Sequence, residues 1–347
     1  MKRYFVSELR EGAKIEEVFL LASKSVGNTR AGQPFLKMKL SDRSGTMDGV
    51  KWNATPTDLS CVSEMDFILA RGTVGVYNGE MQMVVESFRK HTDKIDAADF
   101  LAKTSHDVYA MFTELQELLG QVKDSSLSRL LASFFDDEAT TGKFREAPAA
   151  TKLHHACIGG LLEHTLNVVR ASAALAELYP EADRDLVLTA AALHDIGKIE
   201  EYEWSTALRF TDAGHLVGHV VGGAMMAKGA ADRIEGFDPM LNLALQHAIL
   251  SHHGMKEYGS PKQPKSLEAM IVHAADELDA NVGMYHKAIA DSEHEGTLGL
   301  FTKRHFMLDR PLFKGIPKPS DTPTLPEPSF DPVAISAETD YDPFGEE

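Results

Sequence analysis

Alternating apolar and polar residues fill the first quarter of the chain in five short runs. The runs cover residues 16–26, 33–42, 45–53, 66–80 and 81–90, and they are bounded by Gly, Asn, Asp or Pro. Runs of this length with a period of two predict β-strands. Five strands within residues 1–92 predict a small antiparallel β-barrel as the first domain.

Two turns and one alternation add detail to this barrel. Residues 41–45 and 77–80 predict hairpin turns, and the second turn contains the favourable dipeptide Asn78-Gly79. The second run has two faces, one with Phe35, Lys37 and Lys39 and the other with Leu36, Met38 and Leu40. The apolar face is predicted to pack inward, whereas the other is basic and aromatic.

After residue 92 the apolar spacing changes to three and four residues. This spacing, clearest in residues 107–122 and 126–135, predicts a helical connecting segment over residues 93–146. Residues 147–314 are predicted to form an all-α bundle, with helices at 158–178, 186–198, 216–234, 239–251 and 266–290. Residues 315–347 hold seven of the chain's fifteen prolines and are predicted to be a disordered tail.

The composition is that of a globular protein, with 43% hydrophobic and 25% charged residues among 347. The longest apolar runs, at 186–193 and 244–250, are shorter than the roughly 20 residues that cross a bilayer. The opening residues MKRYFVSELREG lack a signal-peptide core, so we expect a soluble, cytoplasmic protein. Two cysteines, Cys61 and Cys157, are too few for a disulfide framework or a cysteine zinc site.

Net charge is −17, which by itself disfavours a nucleic-acid partner. The charge is unevenly distributed, however: residues 1–92 carry +2, residues 93–314 carry −12 and residues 315–347 carry −7. The acidity therefore lies outside the predicted barrel, which stays available for binding nucleic acid.

A series of His and Asp residues runs through the helical region, each in or at the end of a predicted helix. The series is His164, His194, Asp195, His215, His219, His252, His253, His273 and Asp276. Imidazole and carboxylate without thiolate suit Mn²⁺, Fe²⁺ or a related octahedral ion better than a structural zinc. The whole series, more than any single histidine, indicates a metal centre.

The adjacent pair His194-Asp195 stands in an otherwise apolar stretch, residues 186–196. Burying an imidazole beside a carboxylate is unfavourable unless both are paired, and a metal ion would pair them. Lys198 lies four residues after His194, on the same face of the predicted helix. We expect its ammonium to face a phosphate oxygen of the substrate.

A spacing of four residues places His215 beside His219, and a spacing of three places His273 beside Asp276. His154 and His155 precede the helix of His164, and they either line the mouth of a pocket or lie on the surface. The other histidines have no partner at helical spacing and are interpreted as surface or core residues: His91, His106, His286, His294 and His305.

The order of these residues resembles the HD superfamily of metal-dependent phosphohydrolases. The matching segments are LHDIGK, GHVVGG, SHHG and EAMIVHAADELDA, at residues 193–198, 218–223, 251–254 and 268–280. An OB-like barrel followed by such a domain is similar to the YhaM-type 3′→5′ exoribonucleases, over nearly the whole chain to about residue 305. The resemblance implies a multidomain fold, with an OB-like barrel joined to an all-α HD domain.

The resemblance also implies a role for each residue of the series. A first metal would be held by His164, His194, Asp195 and Asp276. A second metal, bridged to the first by Asp195, would be held by His219 and by one or both of His252 and His253. Lys198 would contact the scissile phosphate.

The sequence departs from the related HD-GYP phosphodiesterases at two places. No GYP follows the His252-His253 pair, which argues against cyclic-di-GMP as substrate. Gly160 stands four residues before His164, where some of those enzymes have a Glu ligand, and this favours two metals over three.

The barrel offers candidates for holding a single strand by stacking and by phosphate contacts. They are the aromatic residues Phe35, Trp52 and Tyr77 with the basic residues Lys37, Lys39, Lys51 and Arg71. In the alternative interpretation the aromatics belong to the core and the lysines protect a strand edge. The neutral-to-basic charge of this domain on an acidic protein favours binding.

The residues and the resemblance together predict a two-metal exoribonuclease that converts single-stranded RNA to nucleoside 5′-monophosphates, and the 3′→5′ direction is implied by the resemblance alone. Mn²⁺ is the expected metal, with Mg²⁺, Fe²⁺ or Co²⁺ as alternatives, and no covalent nucleophile motif is present. Action on single-stranded DNA and assembly into homo-oligomers are left open. The alternatives are a phosphodiesterase acting on a small nucleotide and a catalytically silent nucleic-acid-binding module.

Overall fold

The computed structural model describes residues 2–29, 31–151, 155–204, 208–294 and 296–316. Five strands open the chain: β1 (Lys14–Asn28), β2 (Pro34–Asp42), β3 (Gly45–Lys51), β4 (Phe67–Tyr77) and β5 (Glu80–Lys90). They form a closed barrel in the order β1-β2-β3-β5-β4. The predicted five-stranded barrel is confirmed, and its topology is that of an OB-fold.

The long first strand makes closure feasible, because its two halves pair with different neighbours. The first half pairs with β4 and the second half with β2, and the two pairings meet at Leu20. A bulge between Leu21 and Ser23 bends the strand just after this point. Parallel pairing of β3 with β5 then closes the barrel. The short helix α1 (Pro56–Ser60), capped by Thr55, leads from β3 towards β4.

The alternation in β2 has the predicted orientation. Leu36, Met38 and Leu40 are buried in the barrel core, and Lys37 and Lys39 are exposed. The turn between β4 and β5 has positive φ angles at Asn78 (53°) and Gly79 (85°). Both angles belong to a tight hairpin turn, which explains the Asn-Gly pair in the sequence.

The rest of the described chain is mainly helical. Its longer helices are α2 (Val108–Leu119), α3 (Ser125–Phe135), α4 (Glu138–Glu146), α5 (Gly160–Leu178), α6 (Arg184–Leu193), α9 (His219–Ala231), α10 (Pro239–Ser251) and α11 (Leu267–His294). Two short helices, α7 (Lys198–Glu201) and α8 (Asp212–Leu216), lie between α6 and α9. Within the described ranges, no helix is long and apolar enough to cross a membrane.

Helix α6 is the centre of the helical core, and all eight residues from Leu186 to Leu193 are buried. It packs against α5, α10 and α11. The helices of the connecting segment share this core, since Leu115 of α2 and Leu127 of α3 are fully buried in the same apolar cluster. The apolar run that frames His194-Asp195 is thus the middle of the domain.

Three details differ from the sequence prediction. The helix predicted at 186–198 ends at Leu193, and the helix predicted at 216–234 begins only at His219. A two-stranded hairpin, β6 (Tyr202–Glu203) with β7 (Arg209–Phe210), lies between them, although no strand is predicted after residue 92. The turn after α6 has a packing reason, because a Cβ on Gly197 would lie 2.2 Å from the His219 carbonyl oxygen. Only glycine lets the turn approach the start of α9 this closely.

Candidate metal centre

The buried end of α6 delivers the first two candidate ligands. His194 and Asp195 follow its last residue and are 0% and 2% exposed. His164 comes from the second turn of α5 and Asp276 from α11, the two helices that pack on α6. These candidate ligands are far apart in sequence, and the packing of α5, α6 and α11 brings them together.

A first group of ligand atoms surrounds His164. Its Nε2 lies 3.1 Å from His194 Nε2, 3.2 Å from Asp276 Oδ1 and 3.3 Å from Asp195 Oδ2. His164, His194 and Asp276 offer ligand atoms that all lie within 4.8 Å of one another. Two imidazoles and one or two carboxylates at this spacing suit a divalent cation.

A second group lies on the other side of Asp195. Asp195, His219, His252 and His253 offer ligand atoms within 4.8 Å of one another. Asp195 Oδ1 lies 3.5 Å from His219 Nε2 and 3.6 Å from His252 Nε2. Since Oδ2 faces the first group and Oδ1 the second, one carboxylate can serve two ions.

The second group also contains buried polar atoms without partners. Asp195 Oδ1, His219 Nε2 and His252 Nε2 are buried and make no hydrogen bond to any described residue. Unpaired buried polar atoms are unfavourable, and three that converge on one point fit a cation between them. The donor set thus fits the divalent metal that an HD domain implies.

The opposite ring nitrogen of each histidine is held by an acceptor. His164 Nδ1 lies 2.7 Å from Asp279 Oδ2, and His219 Nδ1 lies 2.8 Å from Glu201 Oε2. In His194, His252 and His253 the acceptors are the carbonyl oxygens of Ala191, Ile249 and Tyr258, at 2.7, 2.7 and 3.0 Å. Such acceptors keep the proton on Nδ1 and aim Nε2 at the centre, as metal ligation requires.

Burial and charge set the ionisation of the centre. Burial lowers the pKa of His252 well below its usual value and also lowers that of His253, so both imidazoles are neutral donors. Burial alone would raise the pKa of Asp195, yet the Lys198 ammonium and His194 hold it well below its usual range. Burial alone would lower the pKa of His164, but its hydrogen bonds to carboxylates raise it. A metal ion would therefore displace a proton from this imidazole.

Lys198 lies inside the centre. Its ammonium is 2.5 Å from Asp195 Oδ2, and its side chain is 11% exposed. The expected continuous helix face with His194 does not exist, because α6 ends at Leu193 and Lys198 begins α7. The turn brings the ammonium to the bridging carboxylate instead.

Two other predicted residues lie away from the two groups. His215 is in α8, not in the same helix as His219, and it is exposed and stacks on Phe210 at 5.1 Å. His273 hydrogen-bonds through Nδ1 to the His252 carbonyl oxygen at 2.6 Å. It thus holds the backbone of a candidate ligand but does not belong to the second group. His154 lies outside the described residues.

His155 does lie beside the centre. Its Nε2 is 3.2 Å from Asp279 Oδ2, and with His164 and Asp279 it forms a third close group. A side chain on Gly160 is excluded here, because its Cβ would lie 2.1 Å from the His155 carbonyl oxygen.

Sequence reasoning missed two carboxylates, Glu201 and Asp279. Asp279 had a signal, since it lies three residues after Asp276 on the same helix and so shares its face. Glu201 had a weaker one, because it lies in the segment between the His194-Asp195 pair and His219 but matches none of the quoted motifs. Both act on ligands that only the fold brings to them.

The barrel carries a groove of about 580 Å³ across β2, β3 and the β4–β5 turn. Five of the seven predicted nucleic-acid contacts line it: Phe35, Lys37, Lys39, Trp52 and Tyr77. Trp52 and Tyr77 are 47% and 64% exposed. The Phe35 and Trp52 ring centroids lie 5.1 Å apart.

The other basic candidates of the barrel differ in their surroundings. Lys51 and Arg71 are not among the described residues that line the groove, and Arg71 pairs with Glu86 at 3.5 Å. Lys39 lies 3.4 Å from Asp48 within the groove, whereas the Lys37 ammonium lies 5.8 Å from the centre of the Phe35 ring.

Comparison with known proteins gives two family matches in the order that the structure shows. Residues 21–90 match the OB-fold nucleic acid binding domain, and residues 161–281 match the HD domain. The chain is also similar to proteins named 3′-5′ exoribonuclease YhaM. It is 31% identical to those of Bacillus velezensis and Bacillus subtilis over 87% of this chain and 95% of each relative. It is 30% identical to that of a Geobacillus species over 88% of this chain and 94% of the relative.

Proposed function

This chain belongs to the family of the YhaM 3′-5′ exoribonucleases, and from that premise we propose that it is a metal-dependent exoribonuclease. The substrate is single-stranded RNA, shortened from its 3′ end to release nucleoside 5′-monophosphates. The observation that carries the proposal is the pair of ligand groups joined by Asp195, with three buried ligand atoms left unpaired. The direction of cleavage rests on the named relatives alone.

Two divalent ions at these groups, Mn²⁺ being our first choice, would activate a water molecule and neutralise charge on the phosphate. The first ion would be held by His164, His194, Asp195 and Asp276, and the second by Asp195, His219, His252 and His253. The chain's own contribution is to orient the imidazoles through the Nδ1 acceptors described above and, by burial, to keep those of His252 and His253 neutral. Asp195 would offer Oδ2 to the first ion and Oδ1 to the second.

Lys198 is proposed to bind the substrate phosphate. Its ammonium is fixed beside Asp195 at the edge of both groups, where a non-bridging phosphate oxygen can accept a hydrogen bond from it. That contact would position the scissile phosphate for attack by water and would add positive charge next to the departing 3′ oxygen.

The barrel groove is proposed to hold the RNA strand away from the scissile bond. Exposed Trp52 and Tyr77 offer faces on which bases stack, and Lys37 lies beside them for phosphate contact. Binding energy from this remote contact favours long strands over small phosphodiesters.

A time course with 5′-labelled single-stranded RNA tests the proposal. The full chain with Mn²⁺ or Mg²⁺ is expected to give a ladder that shortens from the 3′ end, and mass spectrometry should identify nucleoside 5′-monophosphates. Internal cuts would contradict an exonuclease. Turnover of a cyclic dinucleotide alone would favour the small-nucleotide alternative.

A further inference from the structure

Glu201 is a buried carboxylate at the end of α7 that the mechanism above does not use. It is 6% exposed, and both of its oxygens face His219. Oε2 accepts a hydrogen bond from His219 Nδ1 at 2.8 Å, and Oε1 accepts one from the His219 backbone N–H at 3.0 Å. One carboxylate therefore fixes both the ring and the main chain of a single candidate ligand.

Helix α9, which His219 begins, depends on this contact because it has no cap of its own. Its N-cap residue is Gly218, which has a φ of 76° and no side chain to accept a hydrogen bond. Four other helices, α2, α3, α6 and α10, are capped locally by Asp107, Asp124, Asp183 and Asp238. In α9 the acceptor comes instead from Glu201, on a different helix.

His219 also differs from the other histidines of the second group. The Nδ1 atoms of His252 and His253 bond carbonyl oxygens that belong to the same turn or the next one. Only His219 in this group bonds a carboxylate, and a carboxylate acceptor makes an imidazole a better donor to a metal.

We propose that Glu201 is a positioning residue that orients the imidazole of His219 for the second metal ion and fixes the start of α9. The inference rests on the two-metal centre proposed above. It predicts a selective effect, since Glu201 touches a ligand of the second group and none of His164, His194 or Asp276.

Glu201→Gln separates the two roles. The amide oxygen can still accept the backbone N–H of His219, so the cap is retained. The amide NH₂ then faces Nδ1–H, and two donors cannot bond, so the ring loses the tautomer that directs Nε2 to the centre. Glu200→Gln is the matched control, because Glu200 is the preceding residue, its side chain is 58% exposed, and it pairs with Lys143 at 2.7 Å.

Mn²⁺ titration of the full chain by calorimetry is the test, with bound metal counted after desalting. The wild type and Glu200→Gln are expected to bind two ions. Glu201→Gln should keep one ion at wild-type affinity and bind the other about 10- to 100-fold more weakly. Glu201→Asp, which keeps the carboxylate, should recover part of the lost affinity.

Three results would overturn the inference. If Glu201→Gln binds both ions as the wild type does, Glu201 does not position His219, and the two-metal proposal survives. If the wild type binds fewer than two ions, the two-metal proposal fails and this inference fails with it. Unfolding of both Glu201 variants without metal, seen by circular dichroism, would assign Glu201 a structural role only.

Discussion

Asp195 Oδ1 and His219 Nε2 lie 3.5 Å apart in the interior, and neither atom has a hydrogen-bond partner among the described residues. Each atom is a strong acceptor held by a rigid backbone, with Asp195 on the turn after α6 and His219 at the start of α9. Two acceptors cannot satisfy each other. A cation between them would remove the unfavourable free energy of burying two unpaired acceptors. We therefore expect metal binding to stabilise the folded domain.

Removing metal is predicted to destabilise the helical domain. A ligand that binds only the folded state stabilises it by about 2.7 kcal/mol when present at 100 times its Kd. The midpoint of thermal unfolding should therefore fall after chelation and recover when Mn²⁺ is added back. Asp195→Asn should show little of this recovery. Equal midpoints for chelated and loaded wild-type protein would contradict a buried metal centre.

Asp195→Asn is predicted to abolish hydrolysis, because a single substitution weakens both ligand groups at once. The amide is neutral and can no longer offer an anionic oxygen to each ion. Metal content should fall, while RNA binding to the barrel, measured by fluorescence anisotropy, should stay near the wild-type value. Asp232→Asn is the control, since Asp232 is the exposed C-cap residue that follows α9 and pairs with Lys228. Substantial activity of Asp195→Asn at full metal occupancy would refute the assignment.

The residues that meet at this candidate centre could be predicted from the sequence, because the ligand types and their order along the chain are recognisable without a structure. Strand alternation likewise placed Leu36 inside the barrel and Lys37 outside. Sequence analysis could not identify Glu201, because its hydrogen bond to His219 forms only when α7 packs against α9. The same limit applies to Lys198, for which unbroken helical spacing was assumed. Helix α6 ends at Leu193, and Gly197 in the following turn approaches the His219 carbonyl oxygen, a contact that only the structure reveals.

Lys198→Ala is predicted to slow turnover without emptying the metal centre. The ammonium lies 2.5 Å from Asp195 Oδ2, so its removal leaves the carboxylate more available to a cation. We expect kcat to fall by roughly tenfold or more, as for loss of a charged group that contacts the transition state. Metal content should equal or exceed that of the wild type. Lys143→Ala, at an exposed lysine, is the control, and loss of metal from Lys198→Ala would show a structural role.

Trp52→Ala is predicted to impair degradation of RNA while sparing small substrates. Trp52 is 47% exposed and lies in the barrel groove next to Phe35, so its loss removes a stacking face without opening the barrel core. Stacking is worth about 1–3 kcal/mol per base, so we expect RNA affinity to fall between about 5- and 150-fold. The rate of hydrolysis of bis(p-nitrophenyl) phosphate should not change, because that substrate is too small to contact the groove while its phosphate lies at the metal centre.

The decisive measurement is the ratio of activity on a 20-mer RNA to activity on the small diester. Tyr179→Ala is the control, because Tyr179 is an exposed aromatic residue at the C-terminal end of α5. If Trp52→Ala leaves this ratio at the wild-type value, Trp52 does not hold the strand. If Tyr77→Ala also leaves this ratio unchanged, the RNA-binding surface lies outside the groove.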